Sequence, residues 1–586
     1  MADKQQDGLS RRALLAAAGS GAAGAAALAQ PSEAATAGFV RTVDVIVIGS
    51  GATGLPAAIA AREAGASVIL LEAEADVGGH AMVCGGNVAL GGGTSQQRKY
   101  GVQDNPDLLF RDLTDWSVVE GNGAADYRFN DREVIRAFAD ASPATFDWLV
   151  AHGVVFVDKR PDTRGGQSVG NSALRENHAA AMNWPMAQTG RPAPAETRAT
   201  LSTGNGLMRP LEAAARKAGV EILLQHRMTA LVREEPRAGR VLGVTVSAGG
   251  KSFNLKARKA VILGTGGSSG NVNFRRMFDP RLTEEYCGLA GMPWSNQDAS
   301  GELAGMAVGA SLWGLANQTG EFGFNLTKAG NIGCRYGYDH LSWEPGSRVF
   351  DRAGAIGLNV ADWQNLILVN MLGQRFYDET ADAFPANNYS FVNPYTPRSF
   401  HNASNRRYNA NSFLDAALAG IGDDHNGGGP IWAIFDSAGA AREKWDPRPP
   451  NVDVANGFFF QADTLAELAQ RIAMPYQRMP MPPQNLEETV ARYNRFVAAQ
   501  VDEDFGKPSP RWTVAKPPFY AAWSTPVVHD TRAGLRINRH CQVVDMEGEV
   551  IAGLYCGGES AGGFSQHGVA RAIVQGLIAA RHVTAA

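Results

Sequence analysis

The sequence predicts an α/β protein, a mostly parallel dinucleotide-binding sheet with an α+β domain inserted into it. Three observations predict this. A strand–turn–helix–strand pattern with a glycine-rich turn spans residues 42–74, a second apolar strand ends in Gly264-Thr265-Gly266-Gly267, and a third glycine-rich stretch opens the last helix. The 586 residues exceed one simple core, so two domains, or one large domain with an insertion, are expected. A net charge of −4 without a basic block excludes a nucleic-acid partner. The five cysteines contain no CxxC pair, which argues against a disulfide framework, an iron–sulfur site or any metal site. No CxxCH occurs, so no c-type haem is attached and any electron partner is a separate molecule.

The amino terminus reads "LSRRALLAAAGSGAAGAAALAQ", with twin arginines (Arg11, Arg12), a weakly apolar run and a small-x-small site at Ala27-Leu28-Ala29. Residues 1–29 therefore read as a twin-arginine signal peptide. The expected translocase is the twin-arginine one, and the expected destination is the bacterial periplasm. The run is too short and too rich in glycine and alanine for a good membrane span.

In "TVDVIVIGSGATGLPAAIAAREAGASVILLEAE" (42–74), Val43 to Ile48 reads as a buried parallel strand. Gly49 permits the tight turn, Gly51 lets the backbone approach a pyrophosphate, and Gly54 lets helix and strand pack closely. Ala52 and Thr53 complete that turn. "SVILLE" is the next strand, and Glu72, followed by Ala73, stands where a ribose hydroxyl is held. From 219 to 267 a strand, a β-meander and a second buried strand follow. Backbone near Met228, Thr229 and Ala230 supplies adenine-end contacts, and Thr265, Gly266 and Gly267 form a second glycine turn. "GLYCGGESAGG" (553–563) brings Glu559 back to the cofactor. A long dinucleotide such as FAD needs all three elements. The helix after Gly568 and Val569 starts among glycines, so its free N–H groups face an anion or a cofactor.

The combination "DVIVIGSGATG … GTGG … GLYCGGE" resembles the succinate dehydrogenase/fumarate reductase flavoprotein family, which also holds urocanate reductases and 3-ketosteroid Δ1-dehydrogenases. The resemblance runs from about residue 42 to 581. It implies a Rossmann-like FAD-binding domain in two parts, residues 40–340 and 526–586, around a cap or substrate domain at 341–525. It also implies that "DVGGHAMVCGGNVALGGG" (76–93), with Gly78, Gly79, His80, Gly85 and Gly86, lies along the pyrophosphate and flavin. "LILVNMLGQRFYDE" (366–379) resembles the family's "VN..G.RF.(N/D)E" hairpin. "PFYAAWSTPVVHDTRAGLRIN" (518–538) resembles the return from cap to flavin, and the last helix is the one that faces the flavin ring. Within the cap, "NLEETVARYNRFVAAQVDEDFG" (485–506) reads as an amphipathic helix. The Asn- and aromatic-rich 384–413 reads either as a substrate-contacting segment or as a solvated loop.

The substrate end departs from the fumarate pattern. Where fumarate reductases read roughly "NRLGG", "HHTMGG" and "RF.NE.TTRD", this chain reads "SQHGVAR", "HDTRAG" and "RFYDETADAF". The clamp arginine is absent, with His567 nearby; His529 stays but Asp530 replaces the second histidine; Ala383 stands at the acid's position. Losing two charged clamps costs about 10²–10⁴ in dicarboxylate binding, and losing the acid removes about 10²–10⁴ of catalysis. Arg532 or Arg571 compensates only with a shifted backbone. "GGHAMVCGG" has five residues between its glycine pairs, as in the ketosteroid dehydrogenases, and Tyr520 aligns with one of their tyrosines.

The candidate catalytic residues are thus His567, His529, Tyr520 and Arg571. A histidine beside flavin can donate to a developing enolate or carry a proton; each also reads as a satisfied histidine in a polar wall. FAD is expected to be non-covalent, with a covalent link through His80 as the alternative. The expected activity is dehydrogenation, or reduction, of a carbon–carbon bond next to the carbonyl of a small cyclic ketone-like molecule, with a quinone or cytochrome as electron partner. The alternatives are a periplasmic reductase of an unsaturated acid fed by a separate cytochrome, and a non-catalytic electron-transfer flavoprotein.

Overall fold

The structure, a computed structural model, describes residues 38–114, 130–162, 172–180, 204–279, 282–285, 296–314, 318–320, 360–376, 378–382, 429–449, 452–525, 527–565 and 568–585. Its strands in chain order are β1 (Phe39–Ile48), β2 (Val68–Leu71), β3 (Asn87–Ala89), β4 (Glu176–His178), β5 (Glu221–Leu223), β6 (Arg227–Glu235), β7 (Ala238–Ala248), β8 (Lys251–Leu263), β9 (Leu312–Trp313), β10 (Gln318–Gly320), β11 (Ile367–Val369), β12 (Trp432–Asp436), β13 (Phe459–Ala462), β14 (Phe519–Trp523), β15 (Val527–Asp530), β16 (Gly534–Leu535), β17 (Gln542–Val544) and β18 (Val550–Cys556).

The main sheet has the order β17-β18-β8-β1-β2-β5, and the four pairs from β18 to β5 are parallel. Val45 to Ile48 of β1 are closed to solvent, as apolar β-branched runs are when helices cover both faces of a parallel sheet. β8 does two jobs along its 13 residues: Lys251–Lys256 close the antiparallel meander with β6 and β7, and Asn254–Leu263 join β1 in parallel. From β1 the chain crosses to β2 on one side, while β8 and β18 lie on the other. A crevice outside the carboxyl ends of the strands at such a reversal is where open α/β sheets take ligands.

Two helices rich in small residues close over the sheet. Gly54–Glu63 buries Leu55, Ala57, Ala58, Ile59 and Ala61 completely, and the last helix, Ala570–Ala585, packs against it. A Cβ on Gly576 would lie 2.3 Å from the Thr53 carbonyl oxygen, so only glycine permits this approach.

A second sheet, antiparallel with the order β11-β12-β14-β13, is apolar on both faces. Ile367, Val369, Trp432, Ile434 and Trp523 face one core, and Leu368, Ala433, Phe435, Tyr520 and Ala522 face another, with the period of two that strands impose. Trp432 and Trp523 sit opposite each other, edge to face at 5.8 Å. The sequence pattern placed a helix over 485–506; the structure ends it earlier, as Pro483–Ala499, with Gln500 left-handed at φ 55°. Asp502 then takes the backbone N–H groups of Asp504, Phe505 and Lys507, which turns the chain and buries Lys507. There Arg375 pairs with Glu379 and Asp502 at 2.7–2.9 Å, and Lys507 lies 3.2 Å from Glu379. Among the described residues no helix is long and apolar enough to cross a membrane.

Candidate functional site

Three glycine turns at the carboxyl ends of β1, β8 and β18 meet around Thr53. Gly49 has φ +89°, and a Cβ there would lie 2.2 Å from the Gly264 carbonyl oxygen. A Cβ on Gly54 would strike the Gly49 oxygen, one on Gly264 would touch Thr53, and one on Gly558 would meet the Thr53 hydroxyl at 2.5 Å. These glycines let three backbones converge. Gly51 is different: a Cβ there would meet only the Gly78 oxygen, at an ordinary contact distance of 3.7 Å, so that side is uncrowded. The helix Gly54–Glu63 has no side-chain cap, so no side chain at its first turn competes with an anion for the N–H donors. The open side of Gly51 and the uncapped helix fit a pyrophosphate.

Glu72 follows β2 and is 6 % exposed. Its carboxylate receives the Ser50 N–H at 2.9 Å and the Ser50 hydroxyl at 2.5 Å on one oxygen, and the Glu74 N–H at 2.9 Å on the other. Burial pushes its pKa up, and the Ser50 bonds pull it partly back. The acid thus also braces the first turn, with Ser50 passing the contact on to Gly78 N–H at 3.1 Å. Ala73 lies just beyond, half-buried.

The loop 76–93 folds over this turn. Gly78 and Gly79 take φ +114° and +52°, Gly79–Val83 makes a short 3-10 turn, and Gly86 is again left-handed. Gly85 precedes it in the same turn. Burial pushes the Cys84 thiol up to about 11, so it is no nucleophile near neutral pH. His80 Nδ1 lies 3.6 Å from Glu559 Oε2, and Gln297 Nε2 stands between them, 3.1 Å from His80 Nδ1 and 2.5 Å from Glu559 Oε2. The same amide donates to the Gly266 oxygen at 2.8 Å. Thr265 and Ser560 share a hydroxyl contact of 2.7 Å, and Gly267 N–H donates to Ser560 Oγ. His80, Gly266, Gly267, Thr265 and Glu559, far apart in sequence, therefore form one cluster.

Met228 is buried in the main core, whereas Thr229 and Ala230 are exposed at a register shift between β6 and β7. His567 lies outside the described residues. Gly568 (φ +91°) and the half-buried Val569 lead into the last helix, and a Cβ on Gly568 would meet nothing within 4 Å. The backbone of His529 lies in β15 at the irregularity of its pairing with β10.

Arg571 and Tyr520 sit in surroundings that the sequence did not suggest. Arg571 is 2 % exposed and donates to the carbonyl oxygens of Phe564 and, at 2.7 Å, Thr531, tying the last glycine turn to the chain after β15. Tyr520 stacks on Phe435 at 5.1 Å inside the second sheet's core, and burial raises its pKa.

Sequence reasoning missed Ser50, Gln297 and Glu302. Glu302 stands in the first turn of the helix Ser300–Ala307, fully buried, and neither carboxylate oxygen has a hydrogen-bond partner of acceptable geometry among the described residues. Burial pushes its pKa up to about 8, with its own N–H drawing it part of the way back and the charges of Asp298 and Glu559 adding to the rise. The one available signal was an acid at the start of a glycine- and alanine-rich helix. Asp162, Glu176 and His178 also have potential metal-ligand atoms within 4.8 Å of one another. His178 Nε2 there lies 3.2 Å from both Asp162 oxygens, and Lys159 binds Asp162 as well.

The chain matches the FAD binding domain family over residues 44–572. It is 27 % identical over 532 residues to a fumarate reductase (cytochrome) of Shewanella frigidimarina, covering 90 % of this chain and 73 % of that one. It is 26 % identical over 586 residues to a 3-oxosteroid 1-dehydrogenase of Mycolicibacterium smegmatis, covering 88 % and 91 %. The solved structure of a 3-ketosteroid Δ1-dehydrogenase from Sterolibacterium denitrificans superposes with a TM-score of 0.61 at 20 % identity, over 93 % of this chain and all of that one. The convergent glycine turns and the match over nearly the whole described length give one conclusion: the chain belongs to the FAD binding domain family, and FAD is its cofactor.

Proposed function

We propose that the chain is an exported FAD-dependent oxidoreductase that dehydrogenates a carbon–carbon bond next to the carbonyl of a cyclic, ketone-like substrate. A separate quinone or cytochrome would take the electrons. The observation that carries the ketone over a dicarboxylate is the disposition of Arg571. It is the last helix's own arginine near the glycine turn, and two of its guanidinium nitrogens already donate to backbone carbonyls, which leaves less of it to clamp a carboxylate. The likeness to a 3-oxosteroid 1-dehydrogenase along nearly the whole of both chains supports the same choice.

In this reading Gly51, Ala52, Thr53 and the start of the helix Gly54–Glu63 hold the pyrophosphate, and Glu72 accepts from a ribose hydroxyl. Backbone at 228–230 meets the adenine end, and the cluster of His80, Gly266 and Glu559 lies along the cofactor. FAD supplies the two-electron hydride acceptor for the hydrogen on the β-carbon. The chain's own task is the α-proton, which leaves as the double bond forms. His529, set on an irregular strand, and His567, just before the last helix in sequence, are the residues that accept it or polarise the carbonyl. Arg571 acts by holding Phe564 to the chain after β15. The second sheet, with its own two cores, supports reading 341–525 as the cap that encloses substrate. Residues 1–29 direct export to the periplasm.

Anaerobic addition of saturated cyclic ketones should bleach the oxidised flavin absorbance. If they leave it unchanged while unsaturated acids reoxidise the chemically reduced protein, the dehydrogenase reading gives way to an acid reductase. The likeness to a cytochrome-type fumarate reductase favours that second reading.

A further inference from the structure

Residues 296–299, Asn-Gln-Asp-Ala, carry no motif, yet they bond to the loops that follow β2, β8 and β18 at the cofactor end of the main sheet. Asn296 donates to Glu74, after β2, at 2.8 Å. Gln297 reaches Gly266, after β8, His80 in the glycine-rich loop, and Glu559, after β18. Asp298 pairs with Arg227 of β6 at 2.6 Å, and Ala299 N–H donates to the Gly267 oxygen at 3.1 Å. Gln297 and Ala299 hold φ +45° and +62°, left-handed values that side chains other than glycine rarely adopt. Strain of this kind persists where the surroundings over-determine it, and it gathers at ligand clamps.

Gln297 is 2 % exposed and its amide can point only one way. The Gly266 carbonyl and the Glu559 carboxylate only accept, so the NH2 must face them, while Oε1 receives the Ser269 hydroxyl at 2.5 Å. The two protons have the Glu559 carboxylate and the Gly266 oxygen as acceptors at the two shortest contacts, with His80 Nδ1 farther off at 3.1 Å. Gln297 thus fixes the direction of the Glu559 carboxylate and ties it to the second glycine turn.

We propose that 296–299 is a clasp for FAD and that Gln297 is its positioning residue, holding Glu559 where it meets the cofactor. The inference rests on the reading that Glu559 contacts FAD. Gln297→Asn keeps a residue at home at positive φ but draws the amide back by one methylene; Gln297→Glu keeps the length but sets a carboxylate against Glu559. Diluting the FAD-loaded full chain and following the fluorescence of released flavin gives the affinity. A lost hydrogen bond to a charged group predicts about 10- to 100-fold weaker FAD binding for Gln297→Asn, and weaker still for Gln297→Glu. Adding Gln297→Asn to Glu559→Gln should cause no further loss. Melting temperatures compared at the same ratio of FAD to Kd should match the parent, because affinity alone has changed. The proposal is overturned if Gln297→Asn binds FAD as the parent does while Glu559→Gln binds it weakly. It is equally overturned if the two losses add, or if Gln297→Asn melts lower at matched FAD ratio, which marks a merely structural loop. If Glu559→Gln binds FAD as tightly as the parent, the underlying reading of Glu559 falls and the clasp falls with it.

Discussion

Replacing Glu302 by Gln should make the protein more stable, and by an amount that depends on pH. Glu302 is fully buried without a hydrogen-bond partner of acceptable geometry among the described residues, and its pKa rises from the ordinary 4.5 to about 8. A folded pKa above the unfolded one means that the folded state favours the neutral acid. Its stability is intact below about pH 4.5 and is lost as pH rises through about 8. The gap, at roughly 1.36 kcal/mol per pH unit, amounts to about 5 kcal/mol at most, of which about 3–4 kcal/mol develops between pH 5 and 8. Gln has the same shape and no charge to lose. With an unfolding entropy of about 2.1 cal/mol/K per residue, the variant should out-melt the parent by about 3 °C more at pH 8 than at pH 5. Scanning fluorimetry of both proteins from pH 5 to 9, in saturating FAD, reads this directly. Parallel curves, or a variant that melts lower throughout, would refute the argument that burial keeps this acid neutral.

Other substitutions test other parts of the structure. Gly576→Ala sets a methyl 2.3 Å from the Thr53 oxygen, so the last helix must move off the first turn; the flavin-to-protein absorbance ratio of the purified protein should fall several-fold. In Glu379→Gln, Arg375 and Lys507 stay buried with one anion fewer. Burial pushes the Glu379 pKa up, but those two cations hold it below the ordinary value, so its loss should cost about 3–5 kcal/mol, visible as a lower melting temperature with flavin retained until unfolding. Changing Arg11 and Arg12 to Lys should leave the protein in the cytoplasmic fraction if the amino terminus is a twin-arginine signal; unchanged fractionation would remove the export reading.

The nucleotide-binding turn was legible because its chemistry is local. Gly49, Gly51 and Gly54 lie within six residues, between a strand and a helix that announce themselves by composition; the structure gives Gly49 and Gly54 a steric reason and leaves Gly51 uncrowded. The returning strand and Glu559 were legible for the same cause. The second sheet's pairing and the early end of the helix at Ala499 were not: the chain turns left-handed at Gln500, and Asp502 then captures N–H groups beyond the end.

By itself, then, the sequence determined the class of the sheet, the cofactor and the glycine-rich loops at the strands' carboxyl ends, since strand composition and glycine spacing act over a few residues. Only the tertiary structure decided which side chains those loops present to one another. Gln297 meets Glu559 across 262 positions and His80 across 217, a distance over which no periodicity carries information. It also decided that Arg571 braces backbone carbonyls and that Tyr520 packs against Phe435. Whether a polar side chain is free to act depends on what the rest of the chain has already bonded to it, and packing settles that.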